Sequence, residues 1–494
     1  MRQSKLLLTA VLLVFLGLTV FGQASITVNP GTNVTIGTGT TLDVGGQKLL
    51  LMDDYSSAPS FLQYGNLTFS GGGEAFVEQY LTRDVFHMVS EPVNNEVIEV
   101  YQWKYLEQFN ENDGTWTFLN LPLTTPLNVG EGYFVYSYTT DPNGQWPSSG
   151  DSVVFNGNLN YQDVILTLSN TDASPTSGWN LIGNPFPVAI EWNNNPDWNL
   201  NNVGASMYIY DPDGGGNYVV WNTTSGGTNP NGGFIAATQG FWVRTADTVG
   251  GAASLTIPAS QRYHNAATFF KSSGPVIPNQ LLLTVEGNNQ TDKTVIGFYD
   301  KATAEFDPQY DGVYYKAPGG ALSLYSVTYG EKYALNELPS AEDYPVVSLN
   351  FEPTATGKYT LKSEWLESIP EEIPVYLEDK QNKVIRDLRT QPDYTFSATK
   401  SDKADRFNIW FTEPGISENL LSYIHIYSYA KTVYLEIPVS LNGEITIYDI
   451  TGKKIVSRKA TAGRNEIKLR QPNGNYIVRV VADEGTISKK VYIN

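Results

Sequence analysis

The sequence predicts an all-β, multidomain protein built mainly from antiparallel β-sandwich modules. Short runs of alternating apolar and polar residues recur along the chain, as expected of half-buried strands, whereas long stretches at the helical period are few. The 44 Gly and 27 Pro supply residues for many turns. The 31 Tyr and 10 Trp are typical of sheets whose pleated surfaces are covered by aromatic rings.

Residues 1–24 have the pattern of a cleaved secretory signal peptide. Arg2 and Lys5 precede an apolar run of about sixteen residues, and Gly22-Gln23-Ala24 offers small residues for cleavage. A membrane anchor is the alternative, but the run is shorter than the roughly 20 residues that a spanning helix needs. No later stretch is long and apolar enough to span a membrane, so we expect no transmembrane segment in the mature protein.

Composition excludes several function classes. The chain has no Cys, so thiolate chemistry and Cys-ligated zinc are excluded. The net charge is −19, and because residues 1–24 carry +2 and residues 416–494 carry +4, residues 25–415 carry −25. Binding to phosphate backbones depends on Lys and Arg, so we expect no nucleic-acid partner.

The body begins with a strand-rich region, residues 25–82. Short segments such as Ser25-Ile26-Thr27-Val28 and Asn33-Val34-Thr35-Ile36 recur every eight or so residues. They predict either one or two turns of a β-solenoid or a small sheet edge. Two or three turns cannot bury a core alone, so we expect this region to cap the next domain.

An internal duplication follows. Phe86–Val93 matches Trp179–Phe186, and Gly130–Val135 matches Thr238–Arg244, with aromatic strands between them in both copies. Segments that correspond in the same order predict two related β-rich modules. The predicted modules span residues 83–165 and 166–272.

The pattern of predicted strands changes in residues 273–415. Gln280–Glu286 and Lys293–Tyr299 alternate as paired strands, and the last strand of this part is Arg406–Phe411. The pattern predicts an immunoglobulin-like β-sandwich. Glu413-Pro414-Gly415-Ile416-Ser417 then reads as a short linker to the last domain.

Residues 416–494 form a run of short strands separated by turn residues. Asn442-Gly443, Thr451-Gly452-Lys453 and Pro472-Asn473-Gly474 each offer a residue that tolerates positive φ. About seven strands in so few residues predict a small antiparallel sandwich that folds by itself.

This last segment closely resembles the type A C-terminal sorting domain of proteins exported by the bacterial type IX secretion system. The resemblance lies in Ile447–Lys453, Gly474–Val480 and the terminal Lys490-Val491. It implies passage through the periplasm, recognition by the type IX machinery at the outer membrane, and a secreted or cell-surface location. It also implies that the tail is cut off and that the body is released or joined to surface lipopolysaccharide.

The resemblance also identifies sorting-signal residues. Gly452, Gly474, Tyr476, Lys490 and Val491 occupy the motif positions of the family. We expect the two glycines to serve turns, Tyr476 to lie in the core, and the last two residues to lie on an exposed final strand. The Asn-Pro pair usual near the start of such tails is absent, which leaves the start of the domain and the cleavage point open.

No catalytic motif is recognisable. His87, His264 and His425 lie in three different predicted units, which disfavours a multi-histidine metal site or a nucleophilic triad. Neither Gly-x-Ser-x-Gly nor His-Glu-x-x-His occurs. The sequence therefore favours a protein that is not an enzyme. A polysaccharide-active hydrolase remains the alternative, and it requires two carboxylates facing each other across a cleft.

Two ligand sites are candidates. Asp211 and Asp213 offer oxygen ligands for calcium, although the EF-hand spacing is absent and Asp-Gly between strands also predicts a simple hairpin turn. We expect no other cofactor. Trp192 and Trp198, in an Asn- and Pro-rich loop, could stack on sugar rings. The alternative is that such aromatic residues form the core of the sandwich.

The sequence thus favours an exported adhesion or binding protein of the cell surface, with a glycan as the candidate ligand. This interpretation rests on the two predicted aromatic modules, which contain no recognisable combination of catalytic residues. Two alternatives stay open, the polysaccharide hydrolase and a structural component of a surface layer.

Overall fold

The computed structural model describes residues 25–54, 57–144, 146–171, 178–212, 215–246, 251–264, 277–317, 320–414, 421, 424–437, 443–461, 463–482 and 485–493. The predicted signal peptide lies outside these residues. The described part contains forty β-strands and four short 3-10 helices, which confirms the all-β fold class. The helices are Ile98–Tyr101, Pro196–Trp198, Ala259–Gln261 and Leu366–Ser368. Within this part, no helix has the length and apolar character needed to cross a membrane.

The first seven strands stack as rungs of a coil. They are β1 Ser25–Val28, β2 Asn33–Ile36, β3 Thr41–Asp43, β4 Lys48–Leu51, β5 Ser60–Gln63, β6 Asn66–Thr68 and β7 Glu74–Tyr80. β1, β4 and β7 pair in parallel, as do β2 with β5 and β3 with β6. Val28, Leu51 and Val77 therefore lie side by side and are buried. This is the geometry of a short solenoid.

The next strands form an antiparallel sheet over the coil. They are β8 Val85–Val89, β9 Tyr105–Asn110, β10 Thr115–Phe118, β11 Tyr133–Ser137 and β12 Ser152–Gly157. β12 pairs with β7 and extends the coil, while the other four pair in the order β10-β9-β11-β8. Val89, Leu106 and Val135 on one face join the same buried core as Val28 and Leu51. The coil thus shares its core with the sheet that follows it.

A second aromatic sheet has an equivalent strand order. Its region contains β13 Val164–Leu168, β14 Trp179–Gly183, β15 Ala189–Glu191, β16 Val203–Asp211, β17 Asn217–Asn222, β18 Gly226–Gly227, β19 Phe234–Ile235, β20 Gly240–Thr245, β21 Ala253–Ile257 and β22 Arg262–Tyr263. The order β17-β16-β20-β14 corresponds to β10-β9-β11-β8 in the first sheet. The duplicated segments therefore occupy equivalent strands, and the module boundaries stay a prediction.

One sheet of eleven strands comes next. Its strands are β23 Gln280–Gly287, β24 Gln290–Phe298, β25 Gly312–Val313, β26 Ser323–Thr328, β27 Glu331–Leu338, β28 Val346–Glu352, β29 Gly357–Glu364, β30 Tyr376–Asp379, β31 Val384–Asp387, β32 Asp393–Ala398 and β33 Phe407–Trp410. The Phe396 ring of β32 lies 5.2 Å from Phe351 of β28 and 5.0 Å from Phe407 of β33. These strands are far apart along the sheet, so the sheet folds over its own core. Its immunoglobulin-like class stays a prediction.

The chain ends in a small sandwich of seven antiparallel strands. They are β34 His425–Tyr429, β35 Thr432–Ile437, β36 Gly443–Asp449, β37 Lys454–Lys459, β38 Gly463–Lys468, β39 Gly474–Ala482 and β40 Gly485–Ile493. They form one sheet of order β34-β35-β38 and another of order β37-β36-β39-β40. Alternate residues such as Val433, Ile447 and Val478 face inward and are fully buried. The small C-terminal sandwich is as predicted.

Candidate functional site

The first aromatic sheet has one face made almost entirely of rings. Side chains alternate between the two faces of a strand, and the register places Tyr136 opposite both Tyr105 and Phe86. The aromatic side chains on this face are Phe86 on β8, Tyr105 and Phe109 on β9, Trp116 and Phe118 on β10, and Phe134 and Tyr136 on β11.

One end of this face is covered by the second aromatic sheet. The ring centroid of Trp242 lies 4.8 Å from that of Phe109 and 5.8 Å from that of Trp116. Phe134 meets Tyr210 edge-on at 5.2 Å. These residues belong to one buried cluster that joins the two modules and reaches the eleven-stranded sheet. At this end the rings form the interface that holds the modules together.

Among the described residues, the second sheet does not cover the other end of the face. Tyr105, Phe118 and Tyr136 are half-buried there, whereas Phe86 stacks on Phe134 at 4.8 Å and packs against the interface cluster. Two loop residues extend the surface, because the Trp146 ring lies 5.2 Å from Tyr105 and 6.2 Å from Trp103. Trp103 is 44% exposed. The open aromatic face consists of Trp103, Tyr105, Phe118, Tyr136 and Trp146.

Polar groups fix the positions of these rings. Tyr105 donates its hydroxyl hydrogen to Asp141 Oδ1 (2.6 Å), and Asn143 Nδ2 donates to the Tyr105 hydroxyl (2.7 Å). The backbone N–H of Trp146 donates to Asp141 Oδ2 (2.8 Å). Burial, and then the bond to Asp141, raise the pKa of Tyr105. Glu107 lies on the same face, and burial raises its pKa also. The open aromatic face therefore carries amide and carboxyl groups beside its rings.

Trp103 has a backbone conformation that is unusual for a bulky residue. Its φ is +66°, in the left-handed region. Its neighbours hold it there, since Gln102 donates its N–H to the Glu99 carbonyl (2.9 Å) and Lys104 donates to the Tyr101 carbonyl (3.0 Å). Such a conformation costs on the order of 1–3 kcal/mol and is found most often at functional sites. Here it accompanies the most exposed indole of the open aromatic face.

The prediction that Trp192 and Trp198 lie at the surface is wrong. Each is 1% exposed, and the two rings meet edge-on at 4.6 Å. Trp192 Nε1 donates to the Ala205 carbonyl (2.8 Å), and Trp198 Nε1 donates to the Glu191 carbonyl (3.0 Å). The Asn-rich loop closes into the 3-10 helix Pro196–Trp198, which turns both indoles inward. Neither ring can stack on a sugar in this structure.

The predicted calcium turn is partly described. Asp211 ends β16, pairs with Asn217 and accepts the N–H of Gly216 at its carbonyl (3.0 Å), which is the geometry of a hairpin end. Asp213 lies outside the described residues. Within the described ranges, no group of three or more His, Asp or Glu side chains is arranged to hold a metal ion. Calcium at this turn stays a prediction, which a melting curve with and without a chelator would test.

The structure brings one histidine next to a serine. His264 Nδ1 lies 2.7 Å from Ser60 Oγ, and its Nε2 lies 2.6 Å from Thr35 Oγ1. Both ring nitrogens are thus engaged by hydroxyl groups, and burial lowers the pKa of His264. A catalytic triad instead needs a carboxylate on the second nitrogen. This pair is better explained as a contact that fastens β22 to the coil.

The hydrolase alternative needs a carboxylic acid at a cleft, with a raised pKa. A cavity of about 450 Å³ is lined by Glu352 and Asp402. Although burial opposes the change, hydrogen bonds from Lys316 and Tyr325 lower the pKa of Glu352. Likewise, hydrogen bonds from Thr399 lower the pKa of Asp402 against the effect of burial. Both groups are therefore held as carboxylates, unsuited to protonate a leaving group.

Apart from Glu107 on the open aromatic face, carboxyl groups with a strongly raised pKa lie inside the protein. Burial raises the pKa of Glu91 to about 9, and those of Asp311 and Glu337 to about 8. Each of these residues is at most 2% exposed. Asp311 Oδ1 accepts the N–H of Glu337 (2.9 Å), so this pair is part of the packing between the second aromatic sheet and the eleven-stranded sheet.

The sorting-signal residues have distinct positions in the last sandwich. Gly452 has φ +87° in the turn between β36 and β37, and Gly474 opens β39 after a turn. Tyr476 is 6% exposed, and its hydroxyl donates to the Pro472 carbonyl (2.8 Å). On β40, Lys490 is exposed, whereas Val491 points inward and is buried. The final strand is therefore exposed on one face only.

Two family models match the chain. One, described as a domain of unknown function (DUF8693), matches residues 13–411. The other, described as a secretion system C-terminal sorting domain, matches residues 429–494. The second match confirms the type IX sorting tail and with it export to the cell surface or the medium. No relative matches among curated proteins.

Solved structures give faint likenesses. One is PorZ, a bacterial surface component of the type IX secretion system of Porphyromonas gingivalis, with a TM-score of 0.16 and 14% identity over 58% of this chain and 51% of that one. A polysaccharide lyase gives a TM-score of 0.13 and 11% identity over 44% of this chain and 40% of that one. The BSP domain of a biofilm-associated protein gives a TM-score of 0.13 and 8% identity over 85% of this chain and 92% of that one. This chain spans about half the length of the first structure, and TM-scores this low carry no argument.

Proposed function

The chain belongs to the family defined by the domain of unknown function DUF8693, and on that premise we propose that its body is a glycan-binding adhesion protein of the cell surface. The sorting domain at residues 429–494 routes the protein through type IX secretion. The open aromatic face is the proposed glycan site. The body is then either released or attached to surface lipopolysaccharide, which fractionation of cells would distinguish.

The proposal rests on the half of the first aromatic sheet's ring-lined face that the second sheet leaves uncovered. The covered half forms a module interface, so aromatic residues there have a structural role. Trp103 is 44% exposed and is not a member of the buried cluster at that interface. Flat rings present a large apolar area that suits the C–H faces of sugars, and groups such as Asn143 can bind the hydroxyls.

The charge of the body indicates the class of glycan. Residues 25–415 carry −25, and Asp141 and Glu107 lie at the open aromatic face itself. A polyanionic glycan would be repelled by this field. We therefore infer that the ligand is a neutral glycan, whose hydroxyls can donate to the Glu107 carboxyl group, whereas Asp141 is 5% exposed and already accepts hydrogen bonds from Tyr105 and Trp146.

A glycan array with the purified full-length protein tests the proposal. The variant Trp103→Ala removes the most exposed ring of the open aromatic face, and Tyr161→Ala is a control of similar exposure because Tyr161 is 43% exposed on the same body and is not a member of that face. A ring that covers roughly 60 Å² of ligand contributes about 1.5 kcal/mol at about 25 cal/mol per Å². The affinity should then fall roughly tenfold in Trp103→Ala.

The outcomes separate the candidate functions. Binding to neutral glycans by the wild type and the control, weakened in Trp103→Ala, supports the proposal. A blank array, together with unchanged attachment of cells that lack the protein, would contradict it. Release of reducing ends from a bound polysaccharide would favour the hydrolase alternative, and self-association without any ligand would favour the surface-layer alternative.

A further inference from the structure

The core of the last sandwich is completed by residues of the body. Val346 begins β28 and Trp410 ends β33, two inner strands of the eleven-stranded sheet, and both lie in the same buried cluster as Ile424, Ile426 and Leu435. Val346 and Trp410 face each other on neighbouring strands and are 2% and 7% exposed. These two side chains are therefore shielded from water by the tail, here defined as residues 424–493.

A glycine provides a second, closer contact. Gly463 opens β38 with φ +88°, and a Cβ on it would lie 2.4 Å from the carbonyl carbon of Tyr329. The two backbones thus touch at a distance that a side chain would prevent. Tyr329, in the turn between β26 and β27, itself has φ +51°, so both residues of this contact have a left-handed backbone conformation. Such close approach is specific to this pair of surfaces, unlike general apolar contact.

Polar contacts complete the same surface. The Tyr329 hydroxyl donates to Glu436 Oε2 of the tail (3.3 Å) and lies 3.2 Å from the Tyr344 hydroxyl. Arg464 of the tail forms an ion pair with Glu305 of the body. The charges of the two parts are also complementary, since residues 416–494 carry +4 and residues 25–415 carry −25. This contact combines apolar burial, close backbone packing and opposite charge.

We propose that the body carries a built docking surface for its own tail, and that this surface holds the tail without the covalent link. The docking surface consists of Glu305, Tyr329, Tyr344, Val346 and Trp410. Its partner is the chain's own segment 424–493. A cut between Pro414 and Ile424 alone therefore leaves the tail bound, and release requires that the docking surface be opened.

The test uses the full-length protein with a site for a specific protease inserted between Pro414 and Ile424. After complete cleavage, size-exclusion chromatography at micromolar concentration shows whether the two fragments travel together. We expect them to co-elute. A tail fragment that elutes alone would overturn the proposal.

Two alanine variants provide a matched comparison. Gly463→Ala places a methyl group against the Tyr329 backbone, whereas Gly452→Ala has the same backbone strain (φ +87° against +88°) but nothing within 4 Å. After cleavage, the Gly463→Ala tail should dissociate about tenfold more readily, and the Gly452→Ala tail should behave as wild type. Circular dichroism of the uncut variants reports whether each still folds. Equal retention of a folded Gly463→Ala tail would show that this surface does not hold it.

Discussion

Replacing Glu91 by Gln should change how the stability of the protein depends on pH. Glu91 follows β8 in the core beneath the first aromatic sheet and is fully buried. Among the described residues, no other residue donates a hydrogen bond to either carboxyl oxygen of Glu91. Burial, reinforced by Glu131 and Glu96, raises the pKa of Glu91 from 4.5 to about 9. The folded protein therefore keeps a proton that the unfolded chain loses near pH 4.5.

The sign and the size follow from proton linkage. Between pH 4.5 and about 9 the folded state binds one proton more, so the free energy of unfolding falls by about 1.4 kcal/mol per pH unit. The stability from this group is complete below pH 4.5 and is lost as the pH rises toward 9. From pH 5 to pH 8 the loss is about 4 kcal/mol. Glu91→Gln, which stays neutral, removes this dependence.

Urea denaturation at pH 5, 6, 7 and 8, followed by tryptophan fluorescence, measures the effect. Asp53 and Asp292 also have a pKa raised by burial to about 7, but they are present in both proteins and cancel in the difference. The free energy of unfolding of the Glu91→Gln variant should rise relative to that of the wild type at each step of increasing pH. Parallel pH profiles for the two proteins would refute the assignment of an unpartnered, protonated Glu91.

Three further changes have defined outcomes. Trp198→Ala should cost about 3–5 kcal/mol in urea denaturation because it empties a buried site; an exposed Trp198 would cost almost nothing. Arg406→Ala should lower the free energy of unfolding by about 3–5 kcal/mol, because it leaves the buried Asp379 charge without the guanidinium that lies 2.8 Å away. A loss below about 1 kcal/mol would contradict the buried ion pair. Truncation after Glu413 should keep the protein inside the cell, and undiminished export in a fractionation assay would contradict the role of the sorting domain.

Local patterns explain how much of this fold the sequence can predict. Alternation and turn residues are properties of short segments, so the all-β class and the seven strands of the tail follow from them. The eleven-stranded sheet does not, because Val295 pairs in parallel with Leu335, forty residues later. Such a register depends on packing between distant segments, which periodicity does not record.

The candidate site shows the same limit. Asn and Pro around Trp192 and Trp198 indicate a loop, but the carbonyl groups that accept the indole hydrogens and turn the rings inward are supplied by folding. Trp103 stands in an aromatic strand-like segment and gives no signal of exposure in the sequence. Its exposure arises because the second sheet covers only one end of the ring-lined face. Likewise, the predicted linker gives no sign that Trp410 completes the tail's core.

Hydrogen–deuterium exchange of the full-length protein, with and without the tightest glycan found on the array, locates the bound ligand. Contact at the open aromatic face predicts slower exchange in residues 102–119 and 133–144, and unchanged exchange in residues 189–200. Protection of residues 189–200, around the buried pair Trp192 and Trp198, would contradict this location, and so would exchange that stays the same throughout the body.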